Sequence, residues 1–195
     1  MYTQNELPHH GQALSDRDAA FLGRAAVDEV ASFLAIRANT ATTPLHALPN
    51  LAQHLGLAAL HVKDEGQRLG LGSFKALGGA FALMKLVQDE ASRQLGRPVT
   101  VGELMSSEVR AIAAAMTFAC ATDGNHGRSV AQGAQLMGAQ AVIFVHRGVS
   151  DGRIAAIARY GARMVRVNGN YDQSVAEATR VATQQGWTVL SDTSW

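Results

Sequence analysis

The chain has 195 residues, 47% of them apolar, with 17 lysines and arginines against 16 acids and a net charge of +1. That is enough chain to bury a core in one large domain or two small ones, and the balanced charge gives no electrostatic case for a nucleic-acid or anionic-surface partner. The single cysteine, Cys120, excludes an internal disulfide, no apolar run is long enough to span a bilayer, and Met1 to His10 lacks a signal-peptide core, so a cytoplasmic location is expected.

In chain order, residues 1–14 carry Pro8, His9, His10 and Gly11 without periodicity and read as an irregular arm. Ser15 or Asp16 can cap a helix running to about Arg37, with Phe21, Leu22, Ala25, Val30, Phe33 and Leu34 near helical spacing. Thr42 to Leu45 is extended because Thr43 precedes Pro44. Pro49 starts a second helix, from Asn50 to Leu55, which Gly56 ends. Ala58 to Lys63 reads as a strand with Leu60 and Val62 on one face, and Asp64 to Gly72 as a polar loop. Ala76 to Val87 is a strongly apolar helix. Gln88 to Val109 is charged and broken by Gly96, Pro98 and Gly102, which reads as an excursion from the core, with Thr100 capping a short helix near Gly102.

From Met116 the pattern alternates. Strands are expected at Met116 to Ala121, Ala141 to Val145, Arg163 to Val167 and Trp187 to Leu190. The helices between them, Arg128 to Met137, Asp151 to Tyr160 and Tyr171 to Gln185, end at Gly138, Gly161 and Gly186, residues suited to left-handed caps. This order predicts a parallel sheet with helices on its faces, and ligands in such sheets lie beyond the carboxyl ends of the strands. Asp123 to Gly127 and Asp192 fall at such ends.

Two stretches carry chemistry. Gly70 to Gly79 (GLGSFKALGG) sets Lys75 after a Gly-rich turn at the head of an apolar helix, where low-polarity surroundings would favour a neutral amine able to attack an aldehyde; an ordinary helix start with a surface lysine is the alternative. Ala121 to Arg128 (ATDGNHGR) has two glycines that allow close backbone approach, Asn125 to donate and accept, and Asp123 as a candidate general base; a strand-to-helix turn capped by Asp123 and Asn125 is the alternative. Asp192 alone reads better as a strand-end cap than as a site residue. Cys120 reads as a small core residue rather than a nucleophile, and Arg147 and Arg153 as flanking a loop that meets substrate or solvent.

Ser73-Phe74-Lys75 followed downstream by Gly124-Asn125-His126-Gly127 resembles the fold-type II pyridoxal-phosphate enzymes, the group of threonine and serine dehydratases, threonine synthase and cysteine synthase. With Asp192-Thr193-Ser194-Trp195 added, the pattern is similar to the diaminopropionate ammonia-lyases, and the related dehydratases usually carry serine where this chain has Asp123. The resemblance runs from about Thr43 to Trp195. It implies an α/β, three-layer parallel-sheet fold like that of the tryptophan synthase β family, with pyridoxal 5'-phosphate as cofactor. It implies that Lys75 holds the cofactor as a Schiff base, that Asn125 bonds its phenolic oxygen, and that Phe74 joins the cofactor-binding set. Asp123 would lie across the substrate from Lys75, so that bases on opposite faces of Cα could deprotonate both enantiomers of 2,3-diaminopropionate, giving pyruvate and two ammonia. Asp192 would hold the β-ammonium, and no metal ligand set is implied. His126 would be structural.

The same resemblance implies the start of a large cofactor domain over residues 1–78, a smaller α/β domain over residues 79–186 and a return strand over residues 187–195. It also implies a later Gly-rich phosphate loop and a pyridine-nitrogen contact, neither found in this sequence. An N-terminal fragment, inactive alone and homodimeric when complete, is therefore expected, with a small amino acid as its partner. A serine or threonine dehydratase, or a non-catalytic remnant of the fold, are the alternatives.

Overall fold

The computed structural model describes residues 4–192; Thr193, Ser194 and Trp195, the end of the third motif, lie outside the described residues. The chain-order elements are α1 (Asp16–Leu22), α2 (Arg24–Ala35), β1 (Leu45–Ala47), α3 (Pro49–His54), β2 (His61–Lys63), α4 (Gly78–Leu95), α5 (Ser107–Ala114), β3 (Thr117–Ala121), α6 (Asn125–Met137), β4 (Gln140–His146), α7 (Asp151–Ala158), β5 (Arg163–Val167), α8 (Tyr171–Gln185) and β6 (Thr188–Val189), with short 3-10 turns at Glu65–Gly70, Phe74–Ala76 and Val101–Glu103.

The main sheet is parallel, in the order β5-β4-β3-β6. The chain steps outward from β3 to β5, and α8 then carries it back to β6 on the far side of β3. Alternate residues of the central strands face opposite layers. Phe118, Cys120, Ile143 and Val145 pack toward α4, α6 and α7, among Leu83, Met84, Val130, Met137 and Ile157. Ala119, Val142 and Phe144 pack toward Ala178 and Ala182 of α8. Both faces of β3 and β4 are thus covered, which is why these strands read as nearly continuous apolar runs. The three-layer parallel-sheet architecture expected from the alternation is present. No helix among the described residues is long and apolar enough to cross a membrane.

The layer of α4 on α6 is close because small residues meet there. A Cβ at Gly133 would lie 3.0 Å from Ala80 Cα, and one at Gly79 would lie 3.0 Å from Ser129 Oγ. By contrast β1 and β2 form a separate antiparallel pair whose six residues are all exposed.

Several elements differ from the sequence reading. The first helix is two, broken at Gly23, where a Cβ would come 2.3 Å from Ala19 O and only glycine allows the fold-back. Helix α4 runs on to Leu95, so the excursion begins at Gly96, a left-handed cap, rather than at Gln88. The charged stretch stays helical because Ala91 is fully buried on its inner face while Glu90 pairs outward with Arg93. Helix α5 was not anticipated; Ser106 caps it by accepting from the Val109 amide. The polar loop after β2 holds a 3-10 turn, and α6 begins at Asn125 rather than at Arg128. That last shift makes Asn125 the first residue of a helix.

Candidate active site

The Lys75 turn is fixed by buried polar contacts from α6. Ser129, fully buried, accepts from the Ala80 amide at 3.0 Å and donates to the Ala76 carbonyl at 3.1 Å. Arg37 also donates to that carbonyl, at 3.1 Å, and reaches Gln132 on α6. Arg128 donates to the Leu71 carbonyl at 2.8 Å, under Gly72, whose φ of 76° suits glycine. Ser73 Oγ accepts from the Lys75 amide. One amide of the first turn of α4, that of Ala80, is therefore satisfied from another helix.

Lys75 does not sit in apolar surroundings. Its side chain is 40% exposed and its ammonium donates to Asp192 Oδ2, beyond the end of β6. The expectation of a low-polarity pocket overlooked Asp192, which is remote in sequence and reaches Lys75 only because β6 lies next to β3. Burial pushes the Asp192 carboxyl up, but the bond from Lys75 and the His126 and Lys75 charges outweigh it and hold the group below its ordinary range.

The end of β3 supplies the other wall. Thr122 Oγ1 accepts from the Gly124 amide at 2.9 Å and the Gly127 amide at 3.1 Å, folding the turn around a buried hydroxyl. Gly124, at φ 151°, adopts backbone that favours glycine, and a Cβ at Gly127 would strike Thr122 Cγ2 at 2.5 Å. This turn sends Asp123 and Asn125 outward, both exposed, with Asn125 at the head of α6. Asp123 Oδ1 is 3.0 Å from His146 Nε2, at the end of β4.

Lys75, Asp123, Asn125 and Asp192 line one polar cavity of about 330 Å³, with Arg153 and Tyr171 among its other walls. Burial, then the Asp192 and Asp123 charges, push the Tyr171 phenol up, so it faces the cavity as a neutral hydroxyl. A second, more apolar cavity of about 490 Å³ adjoins it, sharing Lys75, His126 and Asp192 and walled by Phe74, Leu77 and Ala82. Phe74 is 63% exposed there. His126 is buried between the two, its Nε2 3.0 Å from the Leu190 carbonyl, so it ties β6 to α6.

All five residues singled out from the sequence thus border two joined cavities at the carboxyl ends of β3 and β6. Sequence reasoning missed Thr122, Ser129, Arg37, His146 and Tyr171. Ser129 and Arg37 carry no local signal, since they act through contacts far along the chain. Tyr171 was legible only as a helix start facing the strand-end side. Burial holds the Cys120 thiol far up, consistent with its place in the core strand.

The family model described as pyridoxal-phosphate dependent enzyme matches residues 36–194. The diaminopropionate ammonia-lyase of Salmonella typhimurium is 40% identical over 167 residues, which is 86% of this chain and 41% of that protein. The Escherichia coli enzyme of the same name is 42% identical over 155 residues, 78% of this chain and 37% of its own length. The crystal structure of the Escherichia coli enzyme in complex with D-serine superposes with a TM-score of 0.78 at 36% identity, covering 88% of this chain and 43% of that one. The chain therefore spans about two fifths of the length of the curated relatives it matches. The family match spans the lysine turn, the strand-end loop and the whole parallel sheet, and this chain belongs to the family of pyridoxal-phosphate dependent enzymes.

Proposed function

We propose that this chain carries the cofactor lysine and the substrate-facing carboxylates of an enzyme that eliminates ammonia from both enantiomers of 2,3-diaminopropionate. The observation that carries the reading is the Lys75–Asp192 ion pair. It shows a carboxylate, part-buried in the cavity and held ionised, already seating a primary ammonium. A substrate β-ammonium presents the same group, whereas the neutral hydroxyl of serine does not.

The residues fit pyridoxal phosphate. An amine opens on both cavities, the apolar wall of Phe74, Leu77 and Ala82 suits the face of an aromatic ring, and the exposed Asn125 amide has no side-chain partner among the described residues. Lys75 would hold the cofactor through its ε-amine, Asn125 would donate to its phenolic oxygen, and Phe74 would bound the ring. When bound, the cofactor supplies the sink for the electron pair left on Cα. The Lys75 amine would take the α-proton from one face, and the Asp123 carboxylate would take it from the other. Asp192, freed of Lys75, orients the β-ammonium for departure. Diaminopropionate ammonia-lyase relatives, and the D-serine complex of one of them, support a site open to D-amino acids. The same resemblance supports a division into residues 1–78, 79–186 and 187–195, a homodimer and a cytoplasmic enzyme.

The test is pyruvate release by the native gene product from D- and L-2,3-diaminopropionate and from L-serine. Turnover of both diaminopropionate enantiomers well above serine is expected. Serine turnover far exceeding diaminopropionate turnover would mean a dehydratase instead.

A further inference from the structure

We infer that His146 is a positioning residue for Asp123, and that Gly148 is required to hold its ring in place. This rests on the reading of Asp123 as the base for one enantiomer. Each imidazole nitrogen has a polar neighbour at 3.0 Å. The Gly148 amide donates to His146 Nδ1 at 3.0 Å, which makes Nδ1 the acceptor and leaves the proton on Nε2. Nε2, so protonated, lies 3.0 Å from Asp123 Oδ1, close enough for a modest turn of either side chain to align its N–H with the carboxylate. The backbone thus selects the one neutral tautomer that can donate to the carboxylate.

A second observation shows that the ring has been given room. A Cβ at position 148 would lie 2.8 Å from His146 Cε1 and 3.1 Å from Nδ1. Gly148 has no positive φ, so its backbone would admit alanine; what a side chain would meet is the imidazole lying over the turn, which would have to shift. His146 is the last residue of β4, paired with Val167 of β5, so its backbone is anchored in the sheet while its side chain reaches across the strand ends to the β3 loop. Asp123 itself is 62% exposed and has no other recorded partner among the described residues. Without His146 its carboxyl would be free to rotate into solvent.

The consequence is chemical. With Oδ1 tied to the Nε2–H, Oδ2 is the oxygen left to take a proton. When Asp123 acts, the substrate Cα–H bond breaks, an O–H bond forms on Oδ2, and the electron pair stays on the carbon. His146 neither gains nor loses a proton, and its bond to Oδ1 persists through the transfer. It therefore serves only the face that Asp123 serves and leaves the Lys75 face alone.

Two measurements on the native gene product test this. The first compares kcat/KM for D- and L-diaminopropionate in His146→Ala, His146→Gln, Gly148→Ala and Asp123→Asn. His146→Ala is expected to lower the ratio of the Asp123-dependent enantiomer to the other by about tenfold or more. His146→Gln, whose amide can donate from a similar distance, should recover part of it, and Gly148→Ala should reproduce the loss with the imidazole still present. Equal loss on both enantiomers in His146→Ala would overturn the inference. If Asp123→Asn changes the ratio and His146→Ala does not, His146 plays no positioning part while the base assignment stands. If Asp123→Asn leaves the ratio unchanged, the base assignment fails and takes this inference with it. The second is the nitrogen-15 spectrum of the His146 ring in cofactor-free protein. A protonated Nε2 and bare Nδ1 are expected, with that preference lost in Gly148→Ala. A proton on Nδ1 in the unaltered protein would contradict the inference.

Discussion

The two walls of the cavity are built in opposite ways. The Lys75 wall is held from below by buried groups: Ser129 and Arg37 on the Ala76 carbonyl and Arg128 on the Leu71 carbonyl. The Asp123 wall is an exposed turn folded on the Thr122 hydroxyl, and among the described residues its carboxylate has only His146 beside it. The residue proposed to hold the cofactor for every substrate is fixed redundantly, through the packed α4–α6 layer. The residue proposed to serve one face of the substrate has a single contact among the described residues. Damage to the first wall should therefore abolish everything, and damage to the second should change selectivity.

The largest expected effect is on the first wall. Lys75→Ala should cost at least about 10³-fold in turnover of every substrate, because the covalent anchor and one base are lost together. It should also remove the visible absorbance band of lysine-bound cofactor. A variant that keeps that band would show that another lysine carries the group. Next comes the ion partner. Asp192→Asn should reduce diaminopropionate turnover by about 10- to 100-fold, the worth of a charge-assisted hydrogen bond of roughly 1.5–3 kcal/mol, while L-serine turnover falls less. Equal losses on the two substrates would mean that Asp192 does not read the β-ammonium.

Ser129→Ala should show itself in stability. It leaves the Ala80 amide and one bond to the Ala76 carbonyl unmet in a fully buried position, at a cost of about 1–3 kcal/mol. A lowered denaturation midpoint with weakened cofactor retention is expected, and an unchanged midpoint would show that Arg37 alone suffices to hold the turn.

The smallest effect lies outside the cavity. Bonds from Arg68 and from Thr43 hold the Glu65 carboxyl down to about 2. A depressed carboxyl contributes stability above its ordinary range near 4.5, and that contribution is lost as the pH falls toward 2. The stability difference between the unaltered protein and Glu65→Gln should therefore shrink as the pH is lowered through this window. A difference independent of pH there would contradict the pairing.

What the sequence made legible follows the same division. The strand–helix alternation after Met116 gave β5 and α8 their bounds, because apolar runs closed by Gly161 and Gly186 leave little choice of ends. The strand-end placement of Asp123 and Asp192 followed from that order. The break at Gly23 was hidden because the apolar spacing continues across it, and α5 because short alanine-rich runs lack a clear period. In the site, the residues with chemistry of their own were visible in two short motifs. The residues that act through others were not, since Ser129 meets Ala76 only after the layers assemble, and the pairing of Asp192 with Lys75 was hidden for the same reason. His146 lay in view just past the end of an expected strand, but its approach to Asp123 depends on β3 and β4 being neighbours.

The central claim is that one cavity presents bases to both faces of the same carbon. Its most direct test is the ratio of D- to L-diaminopropionate turnover in Asp123→Asn, measured on the native gene product with cofactor content matched to the unaltered enzyme. Selective loss of one enantiomer, by about 10²-fold or more as for a removed general base, with the other retained, is the predicted result. Parallel loss of both enantiomers, or of neither, would contradict it.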